Sequence, residues 1–192
     1  VNIERIENLV YQLLQEIGED PERSGLKETP ARVAKMYQEI FEGTNYTNKQ
    51  IAEMADKTFD EDIYDENCKD MVIVEDIPCF SWCEHHMALM NLQISVAYLP
   101  VGKVVGLSKI VRIAEMVSKR LQLQERIGSD IADIMTMITG SEDVAVVIKG
   151  IHSCMTARGV KKPGTVTKTS TLRGKFEIES DLRNELINLL PD

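Results

Sequence analysis

The stretch Ser81–Met90, S-W-C-E-H-H-M-A-L-M, holds two of the three histidines in the chain, His85 and His86, together with Cys83. The third, His152, stands in H-S-C, two residues before Cys154. Every histidine therefore shares a short window with a cysteine. Thiolate and imidazole are the ligands that zinc takes in tetrahedral geometry, and a catalytic zinc keeps one position for water. Cys83-x-x-His86 has the spacing of a short chelating loop, and Cys154 offers a third ligand from the end of a strand. Three protein ligands would make an open site. Cys79, four residues before Cys83, would close it as a fourth ligand and make a zinc-stapled interaction module. The plainer alternative is that Cys79 and Cys154 are ordinary buried thiols. His85 and His152 are the imidazoles left beside the metal. An imidazole gives and takes protons near neutral pH, so both are acid–base candidates.

Ser108, Lys109 and Arg112 fall at an expected strand-to-helix junction, with Lys109 and Arg112 on one helix face. Helix N-terminal amides and basic side chains together hold phosphate. Arg158 follows the second window, with Lys161 and Lys162 after it, and Arg32 and Lys35 repeat the three-residue spacing upstream. Basic pairs on helices are also common solvated surface. In a chain of net charge −9, their clustering suggests a small anionic ligand. The same net charge argues against a general nucleic-acid binder, whose phosphate contacts need a basic surface. In Q-L-Q-E-R (122–126), Gln124 and Glu125 set an amide beside a carboxylate. Such a pair can read the N1–H and amine edge of a guanine-type base; the competing reading is a polar link between helices.

The elements that must position these groups follow from periodicity. A chain of 192 residues, 43% hydrophobic and 28% charged, fits one or two compact soluble domains. No apolar run approaches the roughly 20 residues that span a bilayer. The amphipathic, acidic start V-N-I-E-R-I-E-N does not read as a signal peptide. Four cysteines without an export signal point to reduced thiols in a cytoplasm. Ile3, Ile6, Leu9, Val10, Leu13, Leu14 and Ile17 predict a first amphipathic helix. Thr29-Pro30 opens a second, and a short third follows Asn48. Asp56–Asp70 reads as a connection. Strands are predicted at Met71–Ile77, closed by Pro78, and at Asn91–Leu99. A hairpin turn at Val101-Gly102 leads into another at Lys103–Gly106, and two more follow at Asp143–Ile151 and Thr165–Leu172. Helices are predicted from Ser108 to about Leu121, from Gln124 to Gly140, and from Glu179 to Leu190. Hairpin-joined strands with helices grouped between them indicate an α+β fold.

These residues resemble GTP cyclohydrolase I. The resemblance rests on S-W-C-E-H-H (81–86), V-A-Y-L-P (96–100), V-G-L-S-K-I-V-R-I (105–113), Q-L-Q-E-R (122–126), H-S-C-M-T-A-R-G-V (152–160) and T-V-T-K-T-S (165–170). E-T-P-A-R-V-A-K-M-Y (28–37) matches the N-terminal helical region of that family, and the motifs stand in family order. The resemblance implies a zinc enzyme that converts GTP and water to 7,8-dihydroneopterin triphosphate and formate, the step that opens pterin and folate biosynthesis. It implies zinc on Cys83, His86 and Cys154, with His85 and His152 as acid–base catalysts and Ser108 near the later steps. Gln124 and Glu125 would hold guanine. Arg32, Lys35, Ser108, Lys109, Arg112 and Arg158 would surround the ribose and triphosphate. The implied fold is a tunnelling-fold antiparallel sheet with helices on one face. A helical region over 1–69 would precede this catalytic domain of 70–192, and the implied assembly is a homodecamer of two pentamers. The chain departs from the family pattern at Leu92, Gln93, Leu121 and Gly128, none of them a metal or catalytic position.

Overall fold

The computed structural model describes residues 1–61 and 70–190. The stretch 62–69, which includes Cys68 and the middle of the expected connection, lies outside the described residues.

Three helices come first: α1 (Ile3–Glu16), α2 (Thr29–Ile40) and α3 (Asn48–Ala55), with a 3-10 turn at Glu42–Asn45. Asn2 caps α1 by accepting from the Arg5 N–H, and Thr47 with Gln50 forms a reciprocal capping box on α3. Strands β1 (Thr58–Asp60), β2 (Val72–Cys83), β3 (Ala88–Tyr98) and β4 (Lys103–Val105) follow, then α4 (Leu107–Ser118), β5 (Leu121–Gln122) and α5 (Gln124–Thr139). The chain closes with β6 (Val144–His152), α6 (Ser153–Thr156), β7 (Thr167–Leu172), α7 (Lys175–Ile178) and α8 (Ser180–Leu189). The α+β class is the expected one, but β1 lies inside the stretch 56–70 read as a connection, and β5, α6 and α7 are short elements that periodicity did not predict.

The main sheet runs β5-β2-β3-β6-β7, antiparallel except for the short parallel β2–β5 pairing. Helices α4 and α5 cover one face. Their Ile110, Ile113, Val117, Ile127, Ile131, Ile134 and Met135 meet Leu92, Ile94, Val96, Val146 and Ile148 in one core. Ile51, Ala52 and Ala55 of α3 belong to the same core. On the opposite face, α7 and α8 cover only the end around Ala97 and Ala145, through Phe176, Leu182 and Leu186. Phe80, Leu89 and Ile151 stay exposed on the rest of that face.

The end of one strand and the pairing of another also differ from expectation. Strand β2 does not stop at Pro78 but continues to Cys83. Proline is tolerated there because β5 pairs β2 only at Trp82 and Cys83, so at position 78 the strand has an open edge and needs no N–H donor. The Val101-Gly102 turn does not fold β4 back on β3; β4 pairs with β1 instead.

A bulge between Val74 and Ile77 decides which side chains β2 points inward. The extra residue reverses the alternation, so Ile77, Cys79, Ser81 and Cys83 all face the helices. Asp76 takes a left-handed backbone (φ 52°) to make it, and its N–H donates to Ser95 Oγ at 3.2 Å. Without this residue Cys83 would project from the other face.

Candidate metal centre and active site

Three chain ends converge at one end of the sheet. The β2–β3 hairpin supplies Cys83 and the loop Glu84–Met87. Strand β6 ends beside it, because His152 pairs with Met90 of β3. Strand β5 runs parallel to the end of β2, with Gln122 opposite Cys83, and delivers the start of α5. Two sequence windows nearly 70 residues apart are thereby brought together with the Q-L-Q-E-R segment.

The hairpin loop is closely pinned. The N–H groups of His86 and Met87 both donate to the Cys83 carbonyl, at 3.3 and 2.8 Å, and that of Glu84 donates to the Gln122 carbonyl at 3.1 Å. Met87 adopts φ 50°, which is costly for a side chain with a Cβ and turns the chain back into β3. Arg126 of α5 grips the Glu84 carboxylate with both terminal nitrogens, at 2.5 and 3.3 Å. That guanidinium holds the Glu84 carboxyl below its ordinary range.

Within this frame one ligand atom each from Cys83, His86 and Cys154 lie within 4.8 Å of one another. Cys154 comes from the first turn of α6, not from the strand itself. Burial first, and then the adjacent Cys83 sulfur, push the Cys154 thiol above its ordinary value. A cation shared between the two sulfurs would oppose that shift at Cys154. Two sulfurs and one imidazole nitrogen, close enough to converge on one point, fit a zinc ion with a position left over. Cys79 is not a member of this group among the described residues. It is buried under α4 near Ser118, and burial pushes its thiol up to about 11.

The two further histidines differ in setting. His85 is exposed in the loop, its Nδ1 3.8 Å from Cys83 Sγ. His152 is half-buried, and desolvation lowers its pKa while the nearby Glu125 carboxylate opposes that shift. Its Nε2 lies 2.7 Å from Gln124 Oε1. Gln124 is buried, whereas Glu125 is exposed at the start of α5. Arg158 is exposed and close enough to Cys154 to pull its thiol down slightly.

The other basic residues stand apart. Ser108, Lys109 and Arg112 lie on the first turns of α4, with Ser108 and Arg112 exposed. Arg32 and Lys35 are exposed on α2, and Arg32 pairs with Glu28 at 2.5 Å. Among the described residues no hydrogen bond or ion pair joins these five to the Cys–His–Cys group. Arg126, Gly150 and Thr169, to which the sequence alone assigns no individual role at the site, also shape its surroundings. Gly150 was the visible signal, since glycine inside a strand marks a close approach.

A family model described as GTP cyclohydrolase I matches residues 6–191. A protein of Clostridium botulinum (strain Kyoto / Type A2), named GTP cyclohydrolase 1, is 56% identical over 191 residues, covering 98% of this chain and 97% of its own length. One of the same name from Ruminiclostridium cellulolyticum is 58% identical over 191 residues, covering 98% of both chains. A solved structure of an archaeosine synthase QueF-like protein in the apo form aligns over 56% of this chain and 97% of that chain, with 17% identity and a TM-score of 0.47.

Proposed function

The chain belongs to the GTP cyclohydrolase I family, and from that premise we propose how its residues open GTP to release formate and form 7,8-dihydroneopterin triphosphate. The enzyme is a hydrolase of the GTP cyclohydrolase type. The observation that carries the residue assignment is the convergence of Cys83, His86 and Cys154 from two distant windows.

These three residues would hold zinc. When bound, zinc would supply acidification of a water molecule, which yields a nucleophile at neutral pH. His152 would carry the proton that N7 of guanine takes up as C8 is hydrated. A second hydrolysis at the same carbon then frees formate. His85 would move a proton at the ribose ring oxygen, and Ser108 would serve the later rearrangement. Glu125, exposed at the head of α5, would accept from the N1–H and amine of guanine, with Gln124 beside it in the same Q-L-Q-E-R segment. Arg32, Lys35, Lys109, Arg112 and Arg158 would hold the ribose and triphosphate. Binding the remote phosphates fixes the base against the reacting groups.

Spread over α2, α4 and the loop after α6, these cations favour a site completed between chains. A homo-oligomer, a decamer of two pentamers, fits this reading. The exposed Leu9 and Leu13 on α1, a helix with no buried residue, continued by Ile17 at its C-cap, support such assembly. No helix among the described residues is long and apolar enough to cross a membrane. Two adjacent thiols need a reducing compartment to stay metal-competent, which supports a cytoplasmic location.

The test is formate release with GTP and with ATP, with pterin fluorescence followed after oxidation. Formate from GTP alone is expected. Equal release from ATP would refute guanine recognition, and light scattering that finds a monomer would refute the shared site.

A further inference from the structure

The contacts of Gln124 leave its amide one orientation. Its nitrogen lies 3.0 Å from the Ile148 carbonyl, 3.1 Å from the Thr167 carbonyl and 3.1 Å from Thr169 Oγ1. Carbonyl oxygens only accept, so the NH2 must face β6 and β7 and the Oε1 must face away from them. What Oε1 meets is His152 Nε2, at 2.7 Å. An amide oxygen also only accepts, so Nε2 must carry the hydrogen.

Gly150 makes room for this arrangement. A Cβ at position 150 would stand 2.3 Å from Gln124 Oε1 and 2.8 Å from Leu92 Cδ2. The glycine near the end of β6 therefore opens the space through which the amide reaches His152. The threonine-rich strand β7 closes the other side, by contributing the Thr167 carbonyl and the Thr169 hydroxyl.

We infer that Gln124 is a positioning residue for His152: it keeps the proton on Nε2 and leaves Nδ1 as the ring nitrogen that exchanges protons with the substrate. This rests on His152 being the acid–base group of the reaction. A proton taken up at Nδ1 gives an imidazolium whose Nε2–H still has its acceptor. A proton given from Nδ1 to the base returns the same neutral tautomer. The exchange at Nδ1 thus needs no rearrangement on the far side of the ring, which is the service an orienting acceptor gives a catalytic imidazole. It also explains why a buried amide stands next to an exposed carboxylate in Q-L-Q-E-R: Glu125 is free to meet a base, whereas the hydrogens of Gln124 are engaged within its own chain.

The test uses the zinc-loaded full-length enzyme labelled with 15N-histidine. There are three histidines, and His152 is assigned by difference from His152→Gln. Solid-state NMR of the wild-type enzyme should show His152 protonated at Nε2 and bare at Nδ1. A proton on Nδ1 instead would overturn the inference, and this measurement requires no variant at position 124 to fold. Gln124→Met removes the acceptor at similar size. It should mix the two tautomers and lower kcat by about 10- to 100-fold, with KM for GTP changed by no more than about twofold. A large rise in KM with kcat unchanged would overturn the inference, because the amide would then be reading the base. Gly150→Ala keeps Gln124 but displaces its oxygen, and should give the same tautomer mixture; a pure Nε2–H signal there would count against the proposal. Failure of the underlying reading looks different: His152→Gln would turn over GTP at the wild-type rate, whatever tautomer the wild type shows.

Discussion

Replacing Arg120 by alanine should unseat the segment that carries α3. Arg120 is largely buried between α4 and β5, and its guanidinium binds three parts of the molecule together. Nε donates to the Gly43 carbonyl at 3.1 Å, Nη2 to the Tyr46 carbonyl at 2.9 Å, and Nη1 to Asn48 Oδ1 at 2.9 Å and Asp130 Oδ2 at 3.2 Å. The Arg120 and Asp130 side chains are 15% and 16% exposed, so the pair is little screened by water. Removing one partner of a pair buried to this extent costs about 3–5 kcal/mol. Asp130 keeps amide donors from Asn48 and Gln122, both at 2.9 Å, which places the cost near the lower end. About 3 kcal/mol is roughly two orders of magnitude in a local opening equilibrium. Native-state hydrogen exchange should therefore find the amides of residues 42–55 exchanging about a hundredfold faster in Arg120→Ala, with a smaller change at Ile131–Met135. Arg120→Lys keeps the charge but not the fork, and should fall between the two. Unchanged exchange over residues 42–55, or full rescue by lysine, would refute this account of how the N-terminal helices are held.

Gly128 lets α5 lie against β7, since a Cβ there would stand 2.5 Å from Thr171 Oγ1. Gly128→Ala should cost about 1–3 kcal/mol in denaturant unfolding, and Gly128→Ala with Thr171→Ala should recover most of it. Cys79, with its thiol held at about 11, should carry roughly a hundredfold less thiolate than an ordinary thiol; native enzyme at pH 8 should leave it unalkylated, as mass spectrometry of its peptide will show. Cys154→Ala should lose its zinc and Cys79→Ala should keep it. Zinc-edge absorption of the wild-type enzyme should accordingly count two sulfur neighbours, and a third would bring Cys79 into the site.

The nearness of Cys83, His86 and Cys154 was legible because histidine is scarce and each copy lies close to a cysteine. The helices α4 and α5 were legible from the spacing of their isoleucines, and β3 from its alternation. What sequence could not carry was the route by which the windows meet. The bulge at Glu75–Asp76 has no strong local signature, yet it turns Cys83 toward the helices. Pro78 looked like a strand end because its meaning depends on where β5 stops, a tertiary fact. The pairing of β4 with β1 joins residues over 40 apart and overrode a good local turn at Val101-Gly102. α6 is a single turn, too short for periodicity to reveal. The departure at Gly128 proved to be a packing matter, settled by the nearness of Thr171. Basic residues at three-residue spacing were visible, but among the described residues no hydrogen bond or ion pair joins Arg32 or Lys109 to the Cys–His–Cys group.

On the proposed reading the Cys83–His86–Cys154 group holds the zinc on which opening of GTP depends. It is tested most directly by stripping the enzyme with a chelator and following formate release from GTP as zinc is returned. Release should be absent from the stripped enzyme and should rise in proportion to added zinc, levelling at one ion per chain. Undiminished release by the stripped enzyme, or none after one zinc per chain has been restored, would contradict it.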